Sequence, residues 1–504
     1  MDLSPRTGSG LVVQTDAGTV SGAMAPGEWG ESAVRVFKGI PYAAPPVGPL
    51  RWREPQPASP WPGIHKALEF GSDCPQTDDV GTRAPAQSED CLSLNIWSPA
   101  GAKSLPVMVW IHGGSFVAGS GSERRMDGTA LARLGVVVVT INYRVGLFGF
   151  LTHPALSRES PHKVSGNYGL LDQLSALQWV KTNIANFGGD PGRVTAFGVS
   201  AGSASISLLL ISPLAKGLFQ QAILESPGTA RPLASLADAE AAGTALGTDI
   251  DALRRLSGAE ILSRTSLLAP KVRGLTTPRV LRPIRDGRVI PEDERPAFRN
   301  GRLHVMPIIL GTNADEGTQA VASWPASTLE HYRGLVDANF IGATERATAL
   351  YPATADAEAR PRVGEMFGDT QFNYGTRLLA QTMAAREPRT WRYLFMRRRP
   401  GQTDGPHHGQ EVAYVFGNLG TLHPGEPTGF DATDGAISTA MMKAWAAFAA
   451  NGDPNRPGLA AWPAYDPKAD AHLEFGDGIR VASGWRRDQL DFLDGFYENG
   501  DRRR

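Results

Sequence analysis

The chain has only two cysteines, Cys74 and Cys91, in 504 residues. Two thiols can build neither a disulfide-dense scaffold nor a cysteine-rich zinc site. The ten histidines contain no His-Glu-x-x-His and no close pair other than the adjacent His407 and His408, whose side chains do not easily face one ion. No metal and no cofactor is implied. Charge of one sign is also lacking: 50 Lys+Arg against 51 Asp+Glu leave a net charge of -1, without the basic excess of a phosphate-binding surface. Nucleic acid is not an expected partner. Lysine is scarce, 9 against 41 arginines, a bias we read as genomic base composition. Long apolar runs are missing too. The longest uncharged window of near-membrane length, Val194 to Ala215, carries five Ser, two Gly and a Pro, which a spanning helix of about 20 apolar residues would not favour. It reads as buried core, with no membrane partner expected. The first residues, Met1 to Gly8, show no charged start followed by an apolar stretch, so a cytoplasmic location is expected, or a secreted one if a signal has already been removed.

What is present describes a large globular protein. Hydrophobic residues make up 41% and charged residues 20%, with 57 Gly and 38 Pro spread along the chain, unlike disordered or collagen-like compositions. The length alone suggests about three domains. Short β-branched runs, Val107 to Ile111 and Val136 to Ile141, are apolar on both faces and suit interior strands of a parallel sheet. Asp127 to Leu134 can hold a short helix between them. Leu171, Leu174, Leu177 and Trp179-Val180 recur at helical spacing until Phe187-Gly188-Gly189-Asp190-Pro191 stops the helix, and a strand, Val194 to Gly198, follows. This alternation predicts a doubly wound α/β sheet. Gly228 to about Arg302 and Ser327 to Arg386 read as helical insertions, the first broken by a loop at Ala269-Pro270. Met306 to Leu310 and Thr390 to Met396 read as further strands. Met441, Trp445, Phe448 and Ala449 form an apolar helical stripe ended by Asn451-Gly452-Asp453-Pro454, which predicts packing on the sheet.

Gly198-Val199-Ser200-Ala201-Gly202 fits a nucleophile elbow, a serine on a sharp strand-to-helix turn where glycines leave room for the backbone. A random chain of this composition would hold roughly 0.4 such matches, so an ordinary Gly/Ser turn competes with an isolated match. Here a strand-like Arg193 to Phe197 precedes the pattern and a helix-like Ala204 to Leu210 follows it. A serine hydroxyl is a weak nucleophile at neutral pH and needs a histidine base, an acid to orient that base, and donors for the developing oxyanion. The donors are sought in His112-Gly113-Gly114-Ser115-Phe116, which follows a strand and is similar to the His-Gly-Gly-Gly-type loop of lipases and esterases.

Taken in order, Cys74-Pro75-Gln76, Ser88 to Asn95, His112 to Phe116, Asn142-Tyr143-Arg144-Val145-Gly146, Phe187 to Pro191 and the elbow resemble the type-B carboxylesterase and cholinesterase family from about Gly18 to Trp462. Within it, the chain is most similar to the bacterial para-nitrobenzyl-esterase-like branch. The resemblance implies an α/β-hydrolase fold: a mostly parallel central sheet flanked by helices, one domain over residues 1–504, with the insertions at about 228–302 and 327–386 covering the active site. It also implies the site residues. Glu316, in Asn313-Ala314-Asp315-Glu316-Gly317, takes the place of the acid, with Asp315 its local rival. His408, ahead of Gly409-Gln410-Glu411-Val412-Ala413-Tyr414-Val415-Phe416-Gly417, takes that of the base, rather than His407. Ser200 is the nucleophile. The N–H groups of Gly114, Ser115 and Ala201 form the oxyanion hole, and Gly113 permits the turn. The order Ser, acid, His is the one that α/β-hydrolases use.

The implied activity is a serine carboxylesterase hydrolysing small to medium, mostly uncharged carboxylic esters through an acyl-enzyme. A carbamate or amide hydrolase with the same triad is the alternative, and a non-catalytic esterase-like binding module a further one. Val199 in place of the glutamate of cholinesterases, and the lack of an aromatic residue between Cys74 and Cys91, argue against a choline-ester specialist. Phe116, Phe148, Phe372 and Phe416 are candidates for the pocket lining, or simply core. Cys74 and Cys91 match the family's N-terminal disulfide, whose closure would contribute roughly 3 kcal/mol in the chain-entropy model. Monomer and dimer are both left open.

Overall fold

The computed structural model describes residues 11–26, 32–77, 81–268, 275, 279–421 and 429–501. The loop read at Ala269-Pro270 and the stretch Met1 to Gly8 lie outside the described residues. Among the described residues fourteen strands are formed: β1 (Val12–Gln14), β2 (Thr19–Ser21), β3 (Ala23–Met24), β4 (Val34–Pro41), β5 (Ile64–Lys66), β6 (Ser93–Pro99), β7 (Leu105–Ile111), β8 (Val137–Ile141), β9 (Gly189–Val199), β10 (Gln221–Glu225), β11 (Ile308–Asn313), β12 (Thr390–Phe395), β13 (Ala471–Phe475) and β14 (Ile479–Ser483). β1, β2 and β5 make a small sheet, and the other eleven form one sheet in the order β14-β13-β12-β11-β10-β9-β7-β8-β6-β4-β3. From β13 through β8 every pairing is parallel, and the remaining edge pairings are antiparallel.

The apolar runs make interior strands because both faces are covered. Side chains alternate across a strand, and this sheet divides them cleanly. Val107, Val109, Ile111, Val137, Val139 and Ile141 face one core with Leu170, Leu174 and Leu177 of the helix Tyr168–Asn183. Met108, Trp110, Val138 and Phe197 face the other with Met441, Trp445 and Phe448 of the helix Ala432–Asn451. The C-terminal stripe therefore packs on the sheet, and Gly452 closes its helix in the left-handed conformation at φ 78°, where glycine carries no Cβ penalty. β9 is longer than the sequence suggests and starts at Gly189, immediately after the left-handed Gly188 that stops the preceding helical turn. β4, β6, β10, β13 and β14 were not anticipated by the hydrophobic pattern.

Between β10 and β11 run short helices, among them Leu236–Gly243, Ile250–Arg255 and Gly258–Leu262. They attach through a separate apolar cluster in which Leu246, Ile250, Leu253 and Ile261 meet Trp52, Leu147, Phe148 and Tyr168. Between β11 and β12 lie the helices Leu329–Asn339, Thr344–Leu350, Asp356–Gly368 and Tyr374–Ala384, the last two joined by one π-helical turn, Asp369–Asn373. Cys74 and Cys91 are joined in a disulfide across a separation of 17 residues. Among the described residues no helix is long and apolar enough to cross a membrane.

Candidate active site

Ser200 sits where β9 ends and the helix Ala201–Ile211 begins, with φ 55° and ψ −118°. This is a strained geometry for a residue with a Cβ. The surroundings hold it there: its N–H donates to the Glu225 carbonyl of β10 at 2.9 Å, and its own carbonyl accepts from Ala204 N at 2.7 Å. The elbow glycines answer to close backbone approach. A Cβ on Gly198 would lie 2.5 Å from the Ile111 carbonyl oxygen, and one on Gly202 would overlap that same oxygen. The strand β7 thus passes so near the elbow that only hydrogen fits at both positions.

β7 also delivers the loop from His112 to Phe116. Gly113 lies directly against the nucleophile, a Cβ there falling 3.2 Å from that of Ser200. Gly114, Ser115 and Phe116 all take positive φ, at 102°, 56° and 66°. The turn is closed by Val117 N and Ala118 N donating to the Gly114 carbonyl at 2.9 and 3.0 Å. The N–H groups of Gly114 and Ser115 have no acceptor among the described residues, and that of Ala201 belongs to the first helical turn, whose amides lack intrahelical partners.

His112 is a supporting element. Its ring stacks on Tyr143 at 4.2 Å, Nδ1 bonds the Gly113 carbonyl at 2.8 Å, and burial lowers its pKa to about 4. It is neutral near pH 7. The Asn142-Tyr143-Arg144 motif has the same purpose: Tyr143 Oη donates to the His112 carbonyl at 3.0 Å, Asn142 Oδ1 accepts from Gly121 N at 2.8 Å, and Arg144 is locked to the buried Asp172 at 2.6 Å.

Glu316 follows β11, and His408 lies on the loop between β12 and the short helix Val412–Phe416. Nδ1 of His408 meets Glu316 Oε2 at 2.5 Å. Glu316 Oε1 accepts from Ser226 Oγ and from Asn313 N, each at 2.6 Å. The imidazole thus has one nitrogen engaged by a buried carboxylate and Nε2 left for another partner. Ser200, Ala201, Ser115, Phe116, Glu316, Phe372 and His408 line one cavity, which brings together all the residues assigned to the triad and two of the three oxyanion-hole positions. Phe372 belongs to the π-helical turn, and its ring lies 4.4 Å from that of His408.

The rivals lie elsewhere. Asp315 Oδ1 accepts from Thr318 N at 3.0 Å, and His407 Nε2 lies 3.5 Å from Asp404. Of the aromatic candidates, Phe148 packs against Leu147 and Leu151, and Phe416 stacks near Trp110 and Phe197, both in the core.

Sequence reasoning missed a buried polar layer behind the histidine. Asn313 Nδ2 donates to Glu411 Oε2 at 2.6 Å and to the His407 carbonyl at 2.5 Å. Burial, with Glu316 nearby, pushes the Glu411 carboxyl up to about 7. Glu225 accepts from Trp445 Nε1 at 2.9 Å, its carboxyl raised by burial and by Glu411. Asn313 and Glu411 stand inside the two motifs that supplied Glu316 and His408, so proximity to those motifs was the available signal. Ser226 and Glu225 carried none.

Glu294 anchors the segment entering the cavity from β10, accepting from Ser207 Oγ, Thr229 Oγ1 and Ala230 N at 2.6, 2.7 and 2.7 Å. Burial, opposed by these bonds, raises its pKa from 4.5 to about 7. The folded chain therefore keeps this proton to higher pH than the unfolded chain, and the resulting stability is whole below pH 4.5 and lost as pH rises through about 7. Glu294→Gln is expected to flatten the fall of unfolding free energy from about pH 5 to about pH 8 by on the order of 2 kcal/mol. Urea titrations across that range test this, and parallel wild-type and variant curves would refute it.

Comparison with known proteins agrees with this fold. The model of the Carboxylesterase family matches residues 9–493. The chain is 44% identical to the Fumonisin B1 esterase of Sphingopyxis macrogoltabida over 483 residues, covering 94% of this chain and 88% of that protein. It is 36% identical to the Para-nitrobenzyl esterase of Bacillus subtilis (strain 168) over 491 residues, covering 93% and 96%. A solved structure of PNB esterase superposes with a TM-score of 0.82 at 34% identity, covering 96% of this chain and all of that one (100%). With an α/β-hydrolase sheet, an elbow serine at the end of its strand β9 and a family match across nearly its whole length, the chain belongs to the carboxylesterase family of type-B carboxylic ester hydrolases.

Proposed function

We propose that Ser200, His408 and Glu316 are the catalytic triad of a serine carboxylesterase acting on small to medium carboxylic esters. One observation carries the reading: His408, hydrogen-bonded through Nδ1 to the buried Glu316 at 2.5 Å, lines the same cavity as the strained elbow serine. In the first half-reaction Ser200 Oγ attacks the ester carbonyl carbon while His408 Nε2 takes the hydroxyl proton. The carbonyl oxygen becomes an oxyanion held by the N–H groups of Gly114, Ser115 and Ala201. Collapse breaks the bond to the alcohol oxygen, which leaves with the proton returned by His408. Water, deprotonated by the same histidine, then attacks the acyl-serine and releases the carboxylic acid. Glu316 holds the tautomer with the proton on Nδ1 and stabilises the imidazolium.

An organophosphate inhibitor tests the assignment. It is expected to abolish para-nitrophenyl butyrate hydrolysis in step with a single phosphonyl adduct, and peptide mass spectrometry should map the adduct to Ser200. An adduct on another residue would overturn the reading.

A further inference from the structure

Three arginines, Arg231, Arg279 and Arg282, line the cavity that holds Ser200 and His408. Two of them approach it across aromatic rings: the Arg231 guanidinium lies 5.6 Å from the centre of Phe372 and that of Arg282 lies 5.9 Å from Phe116. Arg231 is held by its bonds to the Gly228 carbonyl at 2.8 Å and to Gln371 Oε1 at 2.7 Å. Neither bond neutralises it. Arg282 makes no ion pair among the described residues, and its Nε is buried without a hydrogen-bond partner. The one carboxylate among the described lining residues, Glu316, is committed to His408, Ser226 and Asn313.

The cations burden one another. Burial, and next the charge of Arg279, lowers the Arg231 pKa to about 10. Arg282 is pushed well below the ordinary arginine range by burial, then by the charges of Arg231 and Arg279. Like charges gathered in a partly desolvated cleft, where the lining carboxylate Glu316 is committed to His408, Ser226 and Asn313, are relieved by an anion, and a guanidinium fork matches a carboxylate in shape and charge. A chain with a net charge of -1 predicts no such local field, and this lining departs from the mostly uncharged esters that the family resemblance implies.

We propose that the substrate is an ester bearing at least one further carboxylate, with Arg282 and Arg231 holding that carboxylate beside the reacting ester. The proposal rests on Ser200 being the nucleophile. Three substrates of similar size test it: monobutyl glutarate, with the anion in the acyl half; butanoyloxyacetate, with the anion in the alcohol half; and neutral butyl pentanoate. One of the two anionic esters is expected to exceed the neutral ester about tenfold or more in kcat/KM at low ionic strength, and the one preferred shows which half the arginines hold. Arg282→Gln and Arg231→Gln are each expected to reduce that ratio about tenfold, chiefly through KM, since hydrogen bonds to charged groups are worth about this much. Arg282→Lys should preserve more of the ratio than Arg282→Gln.

A neutral ester hydrolysed as well as both anionic ones, or a ratio unmoved in both glutamine variants, would overturn the proposal while Ser200→Ala still abolished turnover. Turnover that survives Ser200→Ala would instead remove the underlying reading, and this inference with it.

Discussion

Replacing Ser200 by alanine is expected to lower kcat for para-nitrophenyl butyrate by on the order of 10⁴- to 10⁶-fold, since loss of the nucleophile removes the covalent route and leaves only binding and oxyanion stabilisation. Alanine keeps a Cβ at φ 55°, so the elbow strain is unchanged and the fold should tolerate the substitution. Urea midpoints measured beside the kinetics would show this. If more than about a tenth of the activity remained, the nucleophile would lie elsewhere.

Glu316→Gln carries the second large effect, a fall in kcat of about 10³- to 10⁴-fold with the fold intact. The reason is the direction of the hydrogen bonds. Asn313 N and Ser226 Oγ both donate to Oε1, which fixes the amide oxygen of a glutamine on their side. Its NH₂ then faces His408 Nδ1, where Oε2 now sits at 2.5 Å. The imidazole must accept there, so its proton moves to Nε2 and it can no longer take the serine proton. Asp315→Asn, at a carboxylate that caps Thr318 N, is expected to leave kcat within about threefold. Steady-state kinetics of the pair decide between the two acids, and a larger loss from Asp315→Asn would reverse the assignment.

The legible parts of this fold are those where local chemistry repeats a rule. β7 and β8 are apolar at every position but Thr140 because a parallel sheet is covered on both faces, and their runs are visible in the chain. The antiparallel strands beside them are not. β6 includes Ser93, Asn95 and Ser98, buried polar residues whose partners come from afar, such as Thr140 for Asn95 and the Phe187 carbonyl for Ser98. Polarity at those positions hides a strand until the partners are known.

The site divides in the same way. The elbow glycines have a reason only in three dimensions, the passage of β7 beside them, yet their spacing marks the serine in the chain. Glu316 and His408 were legible through family motifs. Ser226 was not, because a serine after a strand has no special pattern until its hydroxyl meets Glu316 across a separation of 90 residues.

The sequence by itself determined the alternation of strand and helix and marked Ser200 as the elbow serine, because periodicity and glycine spacing act over a few residues, while Glu316 and His408 were marked only by resemblance to the family's motifs. It also showed two cysteines and a balanced charge. Only the tertiary structure decided which acid meets the histidine and which aromatics reach the cavity. It alone brought three arginines from the segments after β10 into one cleft. Net charge is a sum over the chain, whereas a site responds to the few charges within several ångströms of it, and folding chooses those.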